Sequence, residues 1–310
     1  ISCNPATLVR DLKEFEGIYE IKEIQTPEDY ELNAETLKLL RNIVIAETES
    51  SIEIVENQNI VLDLNGYNIE AGNEYFIINS GNFEVISSER PEQLNGETVI
   101  VEAAEEGIGT INSISGNTIS NSGTFKLTSG KIINKSTNVG NTYKNIIYNT
   151  GNFELAGGYL SNSASVSSKS ISVYLINNCE NGNVKITSGE INISQLSNSI
   201  RNSDNGTIEI VDGKFKISKS NDGGITFINN ISNGKIQQID SNDVNVSIKI
   251  LGGQFESTDY RSRLFTHNSD SMVRIEGGSF TSKDGTLIYN EISGVISITD
   301  GTFTGGLCES

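Results

Sequence analysis

The chain has 310 residues, of which 35% are hydrophobic and 20% are charged, a composition in the range of folded globular proteins. It contains no run of about 18 apolar residues, which excludes a membrane-spanning helix, and its net charge of −18 argues against a nucleic-acid partner. Its single histidine, His267, excludes metal sites built from several histidines.

The N-terminal segment, residues 1–50, is predicted to cap the fold. Residues 26–42 are the one stretch that we expect to form a helix. The apolar face of this helix would consist of Leu37, Leu39 and Leu40. Short strands are expected at 43–47 and 51–56, and the acidic stretch 88–108 is predicted to be a loop or hairpin that leaves the main fold.

From residue 125 onward, one eight-residue pattern returns seven times, from FKLTSGKI to ISITDGTF. Two apolar residues flank a variable one, a glycine follows five residues after the first of them, and a third apolar residue comes two positions after the glycine. Such a constant spacing indicates a repeat architecture. The glycines of the seven copies are Gly130, Gly158, Gly189, Gly213, Gly253, Gly278 and Gly301.

Each copy predicts a strand, a turn and a second strand. The alternation of apolar residues is typical of a short strand with one buried face. The glycine follows a small or acidic residue, as in turns that need a positive φ. An asparagine about ten residues before the glycine is predicted to mark a further turn, and equivalent asparagines would form an amide ladder. These asparagines are Asn121, Asn149, Asn177, Asn202, Asn268 and Asn290.

The repeat predicts an all-β fold, a single right-handed parallel β-helix over residues 51–310. A propeller needs longer repeats, and a β-sandwich gives no reason for one motif to return in register. In a β-helix each repeat forms one coil, and equivalent residues stack about 4.8 Å apart. The later copies would then build an interior aromatic stack from Phe215, Phe255, Phe280 and Phe303.

The variable position between the first two apolar residues of each copy tests the stacking. It carries charges whose sign alternates through five consecutive copies, and opposite charges on neighbouring strands attract by about 0.2–1 kcal/mol. Stacked coils explain this alternation. The residues at this position are Glu84, Lys126, Glu154, Lys185, Glu209, Lys249 and Arg274.

The cysteines and the start of the chain bear on its cellular compartment. Cys3, Cys179 and Cys308 are too far apart in sequence to indicate a disulfide framework or a metal knuckle. We expect no bond between Cys3 and Cys308, since the stacked coils would separate the two ends by about 40 Å. The chain begins at Ile1 without a leader, and we expect a signal peptide to have been removed from an exported protein.

The copies, together with the segment VLDLNGYNIEAG at 61–72, resemble the parallel β-helix surface proteins of bacteria in the broad pectin-lyase-like fold group. The coil pattern is similar to that of adhesin-like cell-surface proteins. The resemblance covers residues 43–306, and it implies export and display on the cell surface. Its motifs are specific for the fold, and they name no ligand.

One segment, STDYRSRLFTHN, combines the only histidine with two arginines and could contact an anionic sugar; the alternative is a loop with solvated charges. This ligand-contact cluster consists of Asp259, Tyr260, Arg261, Arg263 and His267. A second candidate is an exposed column of tyrosines on adjacent coils, although tyrosine also suits strands in general. Its members are Tyr143, Tyr148, Tyr159 and Tyr174. We expect no catalytic residues, metal or cofactor, because no complete ligand set, phosphate loop or dinucleotide fingerprint occurs.

The sequence therefore predicts a non-enzymatic extracellular surface protein, an adhesin or structural stalk with a repetitive binding face. We expect a monomer whose partner is a host or cell-surface glycan or protein, without nucleic acid and without membrane insertion. One alternative is a polysaccharide lyase or hydrolase of the pectin-lyase-like fold, which a groove lined by carboxylates would favour. The other is a phage-type receptor-binding fibre, which stable trimerisation would favour.

Overall fold

The computed structural model describes residues 19–21, 34–88, 92–94, 97–99, 108–115, 117–136, 144–162, 173–193, 198–218, 225–234, 245–258, 262–292 and 294–306. Within these ranges the regular secondary structure consists of strands, and almost all of them wind into one parallel β-helix. No helix in the described ranges is long and apolar enough to cross a membrane.

The chain forms short strands joined by tight turns or longer loops. The first strands are β1 (Tyr19–Ile21), β2 (Ala34–Leu39), β3 (Ile43–Ile45), β4 (Ile52–Ile54), β5 (Asn59–Asp63), β6 (Asn68–Ala71), β7 (Ile77–Asn79), β8 (Asn82–Ile86), β9 (Glu92–Leu94) and β10 (Glu97–Val99). They are followed by β11 (Thr110–Ser113), β12 (Ile119–Asn121), β13 (Thr124–Leu127), β14 (Lys131–Asn134), β15 (Lys144–Asn149), β16 (Asn152–Asn162), β17 (Val173–Asn178), β18 (Asn183–Ile193), β19 (Asn198–Asn202) and β20 (Thr207–Ile210). The last are β21 (Lys214–Ile217), β22 (Thr226–Asn230), β23 (Val246–Ile250), β24 (Gln254–Ser257), β25 (Arg263–His267), β26 (Met272–Ile275), β27 (Ser279–Asn290), β28 (Val295–Ile298) and β29 (Thr302–Gly306).

Every coil passes through three faces in the same order. Face 1 contains β2, β5, β8, β13, the first halves of β16 and β18, β20, β23, β26 and β28. Face 2 contains β3, β6, β11, β14, the second halves of β16 and β18, β21, β24, the first half of β27, and β29. Face 3 contains β4, β7, β12, β15, β17, β19, β22, β25 and the second half of β27. The pairing within each face is parallel, so the predicted parallel β-helix is confirmed.

The interior is a set of stacked apolar columns. In face 2 the predicted aromatic stack is present: the ring centroids of Phe215, Phe255, Phe280 and Phe303 follow one another at 4.4, 4.7 and 4.7 Å. Their planes are within 15° of parallel. Offset stacking of this kind adds to the free energy gained by burying the rings. The core therefore repeats from coil to coil with equivalent side chains in contact.

The turn between face 1 and face 2 has a positive φ at six of the seven predicted glycines. These are Gly130, Gly189, Gly213, Gly253, Gly278 and Gly301. Gly158, which lies within the continuous strand β16, does not share the positive φ. A Cβ on Gly158 would lie 2.4 Å from Cγ of Leu127 in the preceding coil, so close packing requires the glycine there.

The outward charges of face 1 stack in the predicted register. Lys126 is paired with Glu84 on one side and Glu154 on the other, and the alternation continues along the face. Lys126 forms an ion pair with Glu154 at 3.7 Å, and Lys185 forms one with Glu209 at 3.3 Å. These exposed pairs stabilise the fold weakly and mainly remove like-charge repulsion between coils.

The predicted N-terminal helix is wrong where the structure describes it, since residues 34–39 form strand β2. This strand is antiparallel to β1 and parallel to β5. Leu39 is fully buried whereas Leu40 is exposed, so the apolar pattern follows the alternation of a strand. Residues 26–33 lie outside the described ranges. The strands predicted at 43–47 and 51–56 correspond to β3 and β4, and β9 and β10 form the predicted hairpin as a separate antiparallel sheet.

Candidate functional site

Of the predicted ligand-contact cluster, the structure describes two residues, and it does not bring their side chains together. Asp259, Tyr260 and Arg261 lie outside the described residues. Arg263 and His267 both lie on β25, but His267 is fully buried in the solenoid, whereas Arg263 is partly exposed. Two consecutive buried residues, Leu264 and Phe265, interrupt the alternation between them, so positions of the same parity point in different directions.

The histidine belongs to a ladder of buried amides along the corner between face 3 and face 1. Each asparagine before the last donates from Nδ2 to Oδ1 of the asparagine in the next coil, at 2.7–2.9 Å. The ladder consists of Asn79, Asn121, Asn149, Asn178, Asn202 and Asn230. Three of the predicted asparagines are therefore confirmed. Asn177 and Asn268 lie one residue away from the ladder, where Asn178 and His267 take their places.

His267 continues the ladder with an imidazole. Its Nδ1 lies 2.9 Å from Nδ2 of Asn230, and its Nε2 lies 3.0 Å from the carbonyl oxygen of Ser271. An amide N–H must donate to Nδ1, so Nε2 carries the proton and the ring is neutral. Burial lowers the pKa of His267, and the hydrogen bond to Ser271 opposes this in part. The histidine is therefore a structural member of the core.

The ladder of hydrogen-bonded side chains ends at His267 and does not continue to Asn290 in the next coil. Asn290 follows His267 in register, and its Nδ2 donates to the carbonyl oxygen of Gly294 at 2.8 Å. Its Oδ1 has no hydrogen-bond partner among the described residues. A Cβ on Gly294 would lie 2.3 Å from Nε2 of His267, so the larger ring needs a glycine beside it.

A groove of about 980 Å³ follows the corner between face 1 and face 2. Its floor is made of small turn residues, such as Ser129 and Gly130 in one coil and Ser188 and Gly189 two coils later. Its wall on face 2 is built from the outward residue after the turn in five consecutive coils. These wall residues are Lys131, Tyr159, Glu190, Lys214 and Gln254. At about 4.8 Å for each coil, the wall is about 20 Å long.

The groove is lined by side chains that can bind a ligand. Among the described residues that line it, no two carboxylates face each other. Nζ of Lys131 lies 5.8 Å from the ring centroid of Tyr159, which is the distance of a cation–π contact. Two carboxylates line the groove among the described residues. Asp212 accepts a hydrogen bond from the backbone N–H of Gly213 in its own turn, so Glu190 is the carboxylate that could contact a ligand. The sequence signal for the groove was the variable residue directly after each repeat glycine.

The predicted tyrosine column is wrong, because its members lie on different faces. Tyr148 is on face 3 and Tyr159 is on face 2, whereas Tyr174 is only 7% exposed. Tyr143 lies outside the described residues. Tyr148 and Tyr159 are close in sequence, but the chain turns twice between them, from face 3 through face 1 to face 2.

The other groups with potential chemistry also have structural surroundings. Cys179 has a free, buried thiol, and burial raises its pKa, so it stays protonated at neutral pH. Cys3 and Cys308 lie outside the described residues. In the described part of the chain, no group of three His, Cys, Asp or Glu side chains could hold a metal ion.

Comparison with known protein families, curated proteins and solved structures finds no match to this chain. Its function must therefore be argued from its own residues.

Proposed function

We propose that this chain is a non-enzymatic extracellular surface protein of the adhesin type, in which a rigid β-helix displays a ligand-binding surface. The regular stacking of the described coils supports a stalk or display role, because a repeating core gives a long element of constant shape. The net charge of −18 keeps such a surface soluble and repels anionic lipids. The proposal includes membership of the pectin-lyase-like fold group and a bacterial source.

The observation that carries the proposal is the structural use of the groups best suited to catalysis. His267 accepts a hydrogen bond from Asn230 at the end of the ladder, and Asp212 accepts the backbone N–H of Gly213 in its own turn. Asp63 accepts hydrogen bonds from the backbone of Asn65 and from Ser88, and it pairs with Lys38 at 3.6 Å. Glycoside hydrolysis usually needs two carboxylates that face each other across the substrate. The groove supports binding better than it supports this chemistry.

A polysaccharide-active enzyme is the competing function, since the groove could hold an extended chain. The test incubates the protein with polyuronates and neutral glycans and measures reducing and unsaturated ends. We expect no products. Product release that Glu190→Gln abolishes and Lys185→Ala preserves would establish the enzyme and refute the proposal.

Surface display is tested separately on the organism that makes the protein. An antibody raised against this chain should label intact cells as strongly as permeabilised ones. Labelling only after permeabilisation would contradict the proposed location. Light scattering of the purified chain should give a monomer, whereas a stable trimer would favour the fibre alternative.

A further inference from the structure

The outer surface of face 3 differs in chemistry from the other two faces. From β15 to β27 its central outward row contains aromatic, amide and hydroxyl side chains with one arginine, and neither lysine nor a carboxylate. The row consists of Tyr148, Asn177, Arg201, Asn229, Thr266 and Tyr289. The equivalent row of face 1 is a column of alternating lysine and glutamate. Lysine and glutamate, which neutralise each other on face 1, are absent from this row.

Two arginines on this face are held by side chains other than carboxylates of the described residues, although the hydroxyl of Ser203 beside Arg201 also donates to Asp204. Nη1 of Arg201 donates to Oδ1 of Asn177 at 3.1 Å and to Oγ of Ser203 at 3.0 Å. The guanidinium carbon of Arg263 lies 3.9 Å from the ring centroid of Tyr289. Among the described residues, neither arginine forms an ion pair with a carboxylate.

The stacking of Arg263 orients its hydrogen-bond donors. When an arginine stacks on an aromatic ring, its N–H donors lie in the guanidinium plane, away from the ring face. A planar fork of this kind matches a carboxylate, which it binds with two parallel hydrogen bonds. Beside it, the hydroxyls of Thr226 and Thr266 lie 3.3 Å apart and hydrogen-bond to each other.

We propose that the outer surface of face 3, between Tyr148 and Tyr289, binds an acidic glycan, with Arg263 and Arg201 contacting sugar carboxylates. The amide and hydroxyl side chains between the arginines suit a ligand rich in hydroxyls. The tyrosine rings offer flat surfaces to the apolar side of a sugar ring. Arg201 and Arg263 lie two coils apart, about 10 Å along the axis, so an extended glycan can reach both.

A protein partner fits this surface less well. The core of a protein interface is apolar, and the exposed large aliphatic side chains of the described residues lie outside the stretch between Tyr148 and Tyr289; in the same row, Ile78 lies two coils before Tyr148. The inference rests on the proposed function in taking the chain as a binding protein, and it adds the face and the ligand class.

The experiment measures binding of the whole chain to a hyaluronan oligosaccharide and to its carboxyl-reduced form by calorimetry. We expect the acidic form to bind at least tenfold more tightly. Arg263→Ala and Arg201→Ala should each weaken its binding at least tenfold. Lys185→Ala, which removes one positive charge from face 1, should change it less than twofold. Circular dichroism of each variant checks that the β-helix is intact.

Several outcomes overturn the inference. Equal binding of the acidic and reduced forms would remove the carboxylate contact, and an equal effect of Lys185→Ala would indicate attraction by overall charge. Tighter binding of polyglutamate than of the glycan would assign the surface to an acidic protein. Loss of binding in Tyr159→Ala, with both arginine variants unchanged, would place the ligand in the groove; this refutes face 3 but agrees with the proposed function. Absence of binding to any acidic glycan refutes the inference, while the labelling of intact cells still tests the proposed function.

Discussion

The substitution His267→Asn tests whether the imidazole is a ladder member whose neutrality stabilises the fold. An asparagine at this position can accept from Nδ2 of Asn230 as the imidazole does. It can also donate to the unpartnered Oδ1 of Asn290 in the next coil. The variant therefore extends the amide ladder by one rung and removes the only histidine of the chain.

At neutral pH the two proteins should have similar stability. Satisfying a buried acceptor gains about 1–3 kcal/mol, and the lost volume of the buried ring costs a similar amount. At acid pH the stabilities of the two proteins should differ, because the buried site favours the neutral ring and the pKa of His267 lies below its ordinary value of 6.5. The contribution of the neutral histidine is complete above pH 6.5 and is lost as the pH falls toward the folded pKa. Each pH unit in that window costs up to about 1.4 kcal/mol.

Urea unfolding at pH 7, 6 and 5, followed by circular dichroism, measures the difference between the two proteins. Subtracting one free energy of unfolding from the other isolates His267, because every carboxylate titrates in both proteins. The advantage of His267→Asn should grow as the pH falls. A difference that stays constant from pH 7 to pH 5 would refute a buried neutral histidine in the ladder.

Three further predictions address the core, the first turn and the coil packing. Phe255→Ala removes a ring from the middle of the aromatic stack and should lower the free energy of unfolding, measured in urea, by about 3–5 kcal/mol. Lys185→Ala, on the exposed charge ladder, should lower it by less than about 1 kcal/mol. Similar losses would contradict the assignment of Phe255 to the core and Lys185 to the surface. Burial alone would raise the pKa of Asp63, but hydrogen bonds and Lys38 together lower it. The ionised carboxylate therefore stabilises the fold above pH 3.8, and this stabilisation is lost as the pH falls below that value. Asp63→Asn should therefore destabilise the protein at pH 7 and have little effect near pH 2, and an equal loss at both would refute the role of the charge. Gly123→Ala places a Cβ 2.2 Å from the carbonyl oxygen of Gly81 in the preceding coil and should lower the melting temperature measured by calorimetry, with an unchanged value as the contrary result.

The repeated features of this protein could be determined from the sequence alone. The glycine spacing, the phenylalanine stack and the alternating charges all have the same physical basis. In a solenoid the neighbour of a residue is its own equivalent one repeat later, so the sequence lists the contacts directly. The pairs Phe255–Phe280 and Lys185–Glu209 follow from counting along the copies, and the structure places both as counted.

The single features were decided by the tertiary structure. On β25, as on the other face 3 strands from β15 to β27, two buried residues follow each other, which turns Arg263 outward and His267 inward although both have the same parity in the strand. Residues 34–39 pair with β1 and β5 because Leu39 must fill the first coil, a packing demand that outweighs a helical pattern. The groove and the arginines of face 3 join side chains about one coil apart in space but more than twenty residues apart in sequence. The repeat determines which residues stack on one another. Only the backbone path within each coil determines whether a side chain points into the core or toward solvent.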